Sequence, residues 1–307
     1  MKRKITNLQV LILLLTVSFV WSAQPASAQS VTSSQRETGH VNTNTRILYH
    51  NGQVMVGTQD VYFIWYGCWD NTCGNNGDTT TQNILTDFMS NVGATPYYAI
   101  LRTYSNSAGQ IPSGAAYFGG QAFDQYSRGL ELTTSDLQGI VNDQITNHRL
   151  PQDANGVYVV FASADVSSPA TGFCVASAQP YHGIVEVFGS DMRYAFIGNP
   201  TRCPSVAAPQ FVANGTLLST PNGSFAGDAM ANTLAHVLST TVTNPLGTGW
   251  FDRYGLQNAD KCDGEFGTIY LTTNGARANI HLGQRDYLIQ QNWVNDKKGR
   301  CAMNLLP

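Results

Sequence analysis

The chain has 307 residues, of which only 12% are charged, with 17 Lys and Arg against 20 Asp and Glu. No basic patch stands out, which argues against a nucleic-acid-binding protein. The first 28 residues, "MKRKITNLQVLILLLTVSFVWSAQPASA", place basic residues before an apolar run from Leu8 to Trp21 and end in a small-residue "ASA". This is the pattern of a secretory signal peptide. The run is shorter than the roughly 20 residues that a spanning helix needs, and no later stretch is apolar enough to span a membrane. The expected mature chain starts at Gln29 and is exported.

About 280 residues then remain, enough for one large domain or two small ones. No linker or repeat divides them, so the reading is a loose polar segment over 29–45 and one domain over 46–307. Six cysteines follow the leader: Cys68, Cys73, Cys174, Cys203, Cys262 and Cys301. An even count in an exported chain points to disulfides. The simplest pairing is sequential: Cys68–Cys73, Cys174–Cys203 and Cys262–Cys301. No CxxC pair supports a thiolate metal site.

In chain order, "RILYHNGQVMVG" (46–57) alternates around Asn51-Gly52, a hairpin signal. "VYFIWYG" (61–67) is a nearly continuous run of β formers, as in a central strand. "TTTQNILTDFMSNVG" (79–93) gathers Ile84, Leu85, Phe88 and Met89 on one helical face and stops at Gly93. "TPYYAILRTYS" is ambiguous between strand and helix. The spacing of Leu137, Ile140, Val141 and Ile145 predicts a helix over 133–149. "GVYVVFASADV" (156–166), "GIVEVFG" and "MRYAFIGNP" read as strands. "GTIYLTT" and "RDYLIQQNW" lie in a Gly- and Asp-rich tail. Helices alternate with strands early, and hairpin-like strands come later. The pattern predicts an α/β (α+β) fold with a mixed β-sheet packed against helices and stabilised by disulfides.

The stretch "NTLAHVLSTTVTNP" (232–245) belongs to a helix read as 228–243, with Asp228 as N-cap and Asn244-Pro245 as the stop. Met230, Leu234, Val237, Leu238 and Thr241 share one side. Asn232, His236, Ser239, Thr240 and Thr243 share the other, a polar stripe predicted to face solvent or a cleft. Zinc peptidases place two ligands at i and i+4 of such a helix, with a Glu base beside the first. Here His236 would be the first ligand, Val237 stands at the base position and Thr240 at the second ligand.

The blocks "ILYHNGQVM", "VYFIWYG", "VYVVFASADV…GFC", "YHG", "YAFIGNPTRCP" and "TVTNPLGTGWFD" resemble the Exordium, or phosphate-induced protein 1, family. The resemblance runs from about residue 46 to 301 and includes the cysteines at 174, 203, 262 and 301. It implies a secreted protein of the cell wall, apoplast-like space or, in a bacterium, the periplasm. It implies a zincin-like scaffold whose metal motif has decayed: Val237 replaces a Glu, Thr240 a Glu and Asn244 an Asp. On that view, acids restored at 237 and 240 would bring zinc affinity. The inserted "CWDNTCGNNGD" departs from the plant pattern.

The functional reading is a non-catalytic exported protein that binds glycan or a protein partner and needs no cofactor. The alternative is a divergent zinc-dependent peptidase built on the 228–243 helix. In that case His236 is the metal ligand, with His182, Asp252 or Asp260 completing the site. His182 and His50 otherwise read as turn-stabilising residues, and His148 and His281 carry no signal. The loop 70–78 could hold calcium, although its spacing is not that of an EF-hand. No G-x-S-x-G elbow is present. Asp124, Glu131, Asp165, Glu186 and Asp191 form no evident glycosidase pair. Most aromatics read as core, and any exposed ones would be platforms for sugar rings. Asn214 and Asn222 head glycosylation sequons.

Overall fold

The computed structural model describes residues 46–70, 78–176 and 178–305. The leader over 1–28, the segment 29–45, Cys73 with its proposed bond to Cys68, and most of the 70–78 calcium candidate lie outside these residues. The fold is α+β, a mixed sheet with helices and two disulfides.

The chain enters through β1 (Leu48–Tyr49) and then forms β2 (Gly57–Tyr66), α1 (Thr79–Val92), β3 (Pro112–Asp124), α2 (Thr134–Thr146), β4 (Gly156–Ala162), β5 (Tyr181–Val187) and β6 (Ser190–Ile197). A one-turn α3 (Pro204–Ala207) precedes the long α4 (Phe225–Thr243). Short two-stranded pairs make up the rest. The sheet order is β3-β2-β4-β6-β5, with all neighbours parallel except the β5–β6 hairpin at one edge.

Strand residues alternate between two apolar layers, as period two requires. Val61, Phe63, Trp65, Val157, Val159 and Phe161 face α1 and α4. Tyr62, Ile64, Tyr66, Tyr158, Val160 and Ala162 face α2. Because both faces are covered, the central strands read as unbroken apolar runs. Each fully buried large aliphatic or Phe side chain contributes roughly 1.5–3 kcal/mol.

The helix ends follow local chemistry. Asp78 caps α1 by accepting from the Thr81 N–H at 2.9 Å. Thr133 and Asp136 form a capping box on α2. Gly93 ends α1 where a Cβ would fall 1.9 Å from the Ala116 carbonyl oxygen. The ambiguous aromatic stretch is a 3-10 turn, Tyr98–Thr103.

Two expectations change, and one strand had no sequence reading. The Asn51-Gly52 turn forms with Asn51 at φ 66°, but it closes no local hairpin. Leu48–Tyr49 pairs instead with Trp250–Phe251, and Gly52 packs where a Cβ would sit 2.2 Å from Thr248. β3 has no clear sequence signal because Gly114, Gly119 and Gly120 dilute its β formers. Gly119 is needed there, since a Cβ would meet the Tyr62 ring at 2.5 Å. Lastly, α4 starts at Ser224, whose hydroxyl accepts from the Gly227 N–H at 3.1 Å. Asp228 lies inside the first turn, buried, and accepts from the Asn222 N–H at 2.9 Å and its amide at 2.6 Å.

Candidate functional site

The polar stripe of α4 faces neither solvent nor an open cleft. His236, Ser239, Thr240 and Thr243 are all buried, which corrects the expectation from helical periodicity. The chain from 252 to 262 and the segment from 289 to 294 close over them. Each polar group then needs a partner, because an unpaired buried one costs about 1–3 kcal/mol. The covering segments supply those partners. Asn258 donates to the Ser239 carbonyl at 3.1 Å, and the Asn292 amide donates to the Ser239 hydroxyl at 2.7 Å. The Thr240 and Thr243 hydroxyls bond back to carbonyls one turn earlier.

His236 lies at the centre. Its Nε2 is 2.8 Å from Asp260 Oδ1, and its Nδ1 is 3.2 Å from Gln290 Oε1. The Gln290 amide nitrogen donates to the Ala259 carbonyl at 2.9 Å, which fixes its oxygen toward the imidazole. Asp260 Oδ2 accepts from the Gln257 N–H at 2.8 Å. Both ring nitrogens therefore face acceptors, an arrangement that the doubly protonated ring satisfies. Burial on its own would lower the His236 pKa. The hydrogen bond and charge of Asp260 outweigh burial and raise it.

The residue after Asp260 makes a second buried ion pair. Lys261 Nζ is 3.1 Å from Asp252 Oδ2, and both side chains are fully buried. The Lys261 ammonium also sits 5.0 Å from the centre of the Trp293 ring. The disulfide Cys262–Cys301 anchors the same segment, while Cys174–Cys203 anchors the loop after β4.

His182, on β5, approaches the same cluster. Its Nε2 is 3.3 Å from Gln257 Oε1, and its buried Nδ1 has no hydrogen-bond partner. Burial lowers its pKa, which favours the neutral ring at His182. It is a strand residue rather than a turn residue. Of the partners expected for His236, the structure brings up Asp260 directly and His182 only through Gln257, while Asp252 is engaged by Lys261.

These residues do not fit a zinc centre. Among the described residues no group of three or more His, Cys, Asp or Glu side chains could hold a metal ion. Val237, at the base position, is fully buried and packs in the layer between α4 and the sheet. A Glu there would point into apolar core.

The remaining candidates are dispersed. Asp124 is buried and accepts from Ser127 and Gln144. Asp165 accepts from Ser163 at 2.5 Å and from Tyr126 at 2.6 Å. Glu186 and Glu131 are exposed. His50 is exposed, its ring stacked on Phe251. Asn214 is exposed in a hairpin turn, whereas the Asn222 amide is used by Asp228 and the Asp286 carbonyl.

Sequence reasoning missed Gln290, Asn292 and the Asp252–Lys261 pair. The signal available was Cys262. A half-cystine drawn inside pulls its neighbours Asp260 and Lys261 inside too, and buried charges require partners.

Fold and site together define a disulfide-stapled α+β protein whose long helix α4 is fastened to its cover by buried ion pairs and hydrogen bonds. A family model described as "Phosphate-induced protein 1 conserved region" matches residues 47–303. The chain belongs to that family. It is similar to Protein EXORDIUM-like 3 of Arabidopsis thaliana, 26% identical over 280 residues, covering 81% of this chain and 80% of that protein. It is also similar to Protein PHOSPHATE-INDUCED 1 of Nicotiana tabacum, 26% identical over 282 residues, with 80% and 84% covered. Protein EXORDIUM of Arabidopsis thaliana is 25% identical over 249 residues, with 71% and 73% covered. No solved structure matches.

Proposed function

We propose that this chain is an exported, non-catalytic binding protein that acts outside the cell, at a wall or in an envelope space, on glycan or a protein partner. The observation that carries the reading is the closed Asp260–His236–Gln290 network. It turns the one metalloprotease-like residue of α4 into a structural cation. Export is supported by the leader pattern and by disulfides, which persist in oxidising compartments. No helix among the described residues is long and apolar enough to cross a membrane.

The test is elemental analysis of the secreted chain, purified without chelator or histidine tag, together with a peptidase assay. The reading predicts substoichiometric zinc and no cleavage that depends on His236. Stoichiometric zinc with peptide cleavage lost in His236→Ala would replace it with the hydrolase alternative.

A further inference from the structure

Beyond the leader, lysine occurs only at 261, 297 and 298. Lys261 is buried on Asp252. Lys297 and Lys298 are exposed in the turn between the paired strands Asn292–Val294 and Arg300–Ala302. That turn's carboxylate, Asp296, is already engaged by the Lys298 and Gly299 N–H groups and by the Arg300 guanidinium. Arg46 lies alongside, its Nη2 donating to the Lys297 carbonyl at 3.2 Å. A cationic corner thus stands on a chain whose acids outnumber its bases.

The corner continues into rings. From Arg46 the chain is extended, with Ile47 turned inward and Arg46, Leu48 and His50 exposed. Leu48 stands opposite Phe251 in the strand pair, and His50 lies flat on the Phe251 ring at 3.6 Å and 5°. At the following turn Tyr254 is 58% exposed, and the Arg253 guanidinium lies 4.7 Å from its ring centre. The strip is held rigid from beneath, since the Asp252–Lys261 pair and the Cys262–Cys301 bond tie its two halves to the core. A preorganised surface loses little ordering entropy on binding.

We propose that this strip binds an acidic polysaccharide of the uronate type. The cations Arg46, Lys297, Lys298 and Arg253 meet carboxylates, and Leu48, His50, Phe251 and Tyr254 meet the C–H faces of the sugar rings. A lipid surface is disfavoured because Leu48 is the strip's one exposed aliphatic side chain. The inference rests on the binding-protein reading and names its ligand class and surface.

The test is affinity electrophoresis and calorimetry of the secreted chain with polygalacturonate. Binding is expected to weaken steeply as salt rises from low to physiological strength. The double variant Lys297→Glu/Lys298→Glu should bind about tenfold more weakly, and Tyr254→Ala several-fold more weakly, both with wild-type melting temperatures. Unchanged binding by both variants would overturn the proposal. So would equal affinity for neutral dextran, single-stranded DNA or phosphatidylglycerol vesicles. New reducing ends would overturn the non-catalytic reading and leave the surface standing. Absence of both binding and cleavage would overturn the surface and leave that reading standing.

Discussion

The sheet region, 57–197, and the C-terminal region, 198–305, bury themselves by different means. In the first, strands and helices bring apolar side chains to two continuous layers. Its cohesion is the hydrophobic effect spread over many residues. In the second, mostly irregular chain over 252–262 and 289–294 covers the polar side of α4. The region's own apolar cluster, around Phe211, Ile269 and Leu288, is small, and two buried ion pairs and a disulfide fasten the cover. A layered apolar core tolerates the loss of one contact by repacking. A buried ion pair does not, because removing one partner leaves an uncompensated charge.

That contrast gives the predictions. The largest effect is expected from Asp252→Ala, which removes the buried carboxylate paired with Lys261 and should cost about 3–5 kcal/mol in urea unfolding. The double variant Asp252→Leu/Lys261→Met should recover most of the loss, because it leaves no charge behind. If Asp252→Ala costs under about 1 kcal/mol, the ionic account of the C-terminal region fails. Next, Cys262→Ser/Cys301→Ser should cost about 2–4 kcal/mol, and hydrogen exchange should rise in 252–263 before it rises in β2 or β4. Val237→Glu with Thr240→Glu should destabilise the fold by roughly 2–4 kcal/mol and bring no zinc affinity, since position 237 faces core. A gain of zinc by a folded variant would restore the zincin-like view of the scaffold.

The smallest effect is the pH dependence of stability. The His236 pKa is raised in the folded state. Its contribution is therefore complete below the ordinary imidazole range near 6.5 and is lost as pH rises through the higher folded value. His182 has the opposite sign, because burial lowers its pKa and folding is penalised once the pH falls low enough to protonate it free in the unfolded chain. The urea midpoint of the wild type should fall on the alkaline side, and His236→Gln should flatten that fall. An unchanged alkaline slope in the variant would assign it to another group.

Most of the sheet region was legible in the sequence, because β2, β4, α1 and α2 carry strong periodic patterns. β3 was not legible, since its glycines serve close approach, Gly119 to Tyr62 and Gly114 to Ala99, rather than strand propensity. The polar stripe on α4 was read correctly as a stripe, with His236 among Asn232, Ser239, Thr240 and Thr243. Its environment was misread, because periodicity reports which residues share a side and not what covers that side. Here the cover comes from mostly irregular chain further on, from Asn258, 19 residues beyond Ser239, to Gln290, 54 residues beyond His236, whose Asp, Asn and Gln side chains have no pattern of their own. The disulfides Cys174–Cys203 and Cys262–Cys301 match the simplest, sequential pairing, one of the 15 that six cysteines allow.

The central claim is that His236 is a buried, doubly protonated structural cation. Nitrogen-15 NMR of the side-chain imidazoles at neutral pH tests it most directly. The account predicts that both His236 ring nitrogens resonate as protonated nitrogens and that their N–H protons exchange slowly. One unprotonated nitrogen, or a nitrogen shifted by bound zinc, would contradict it.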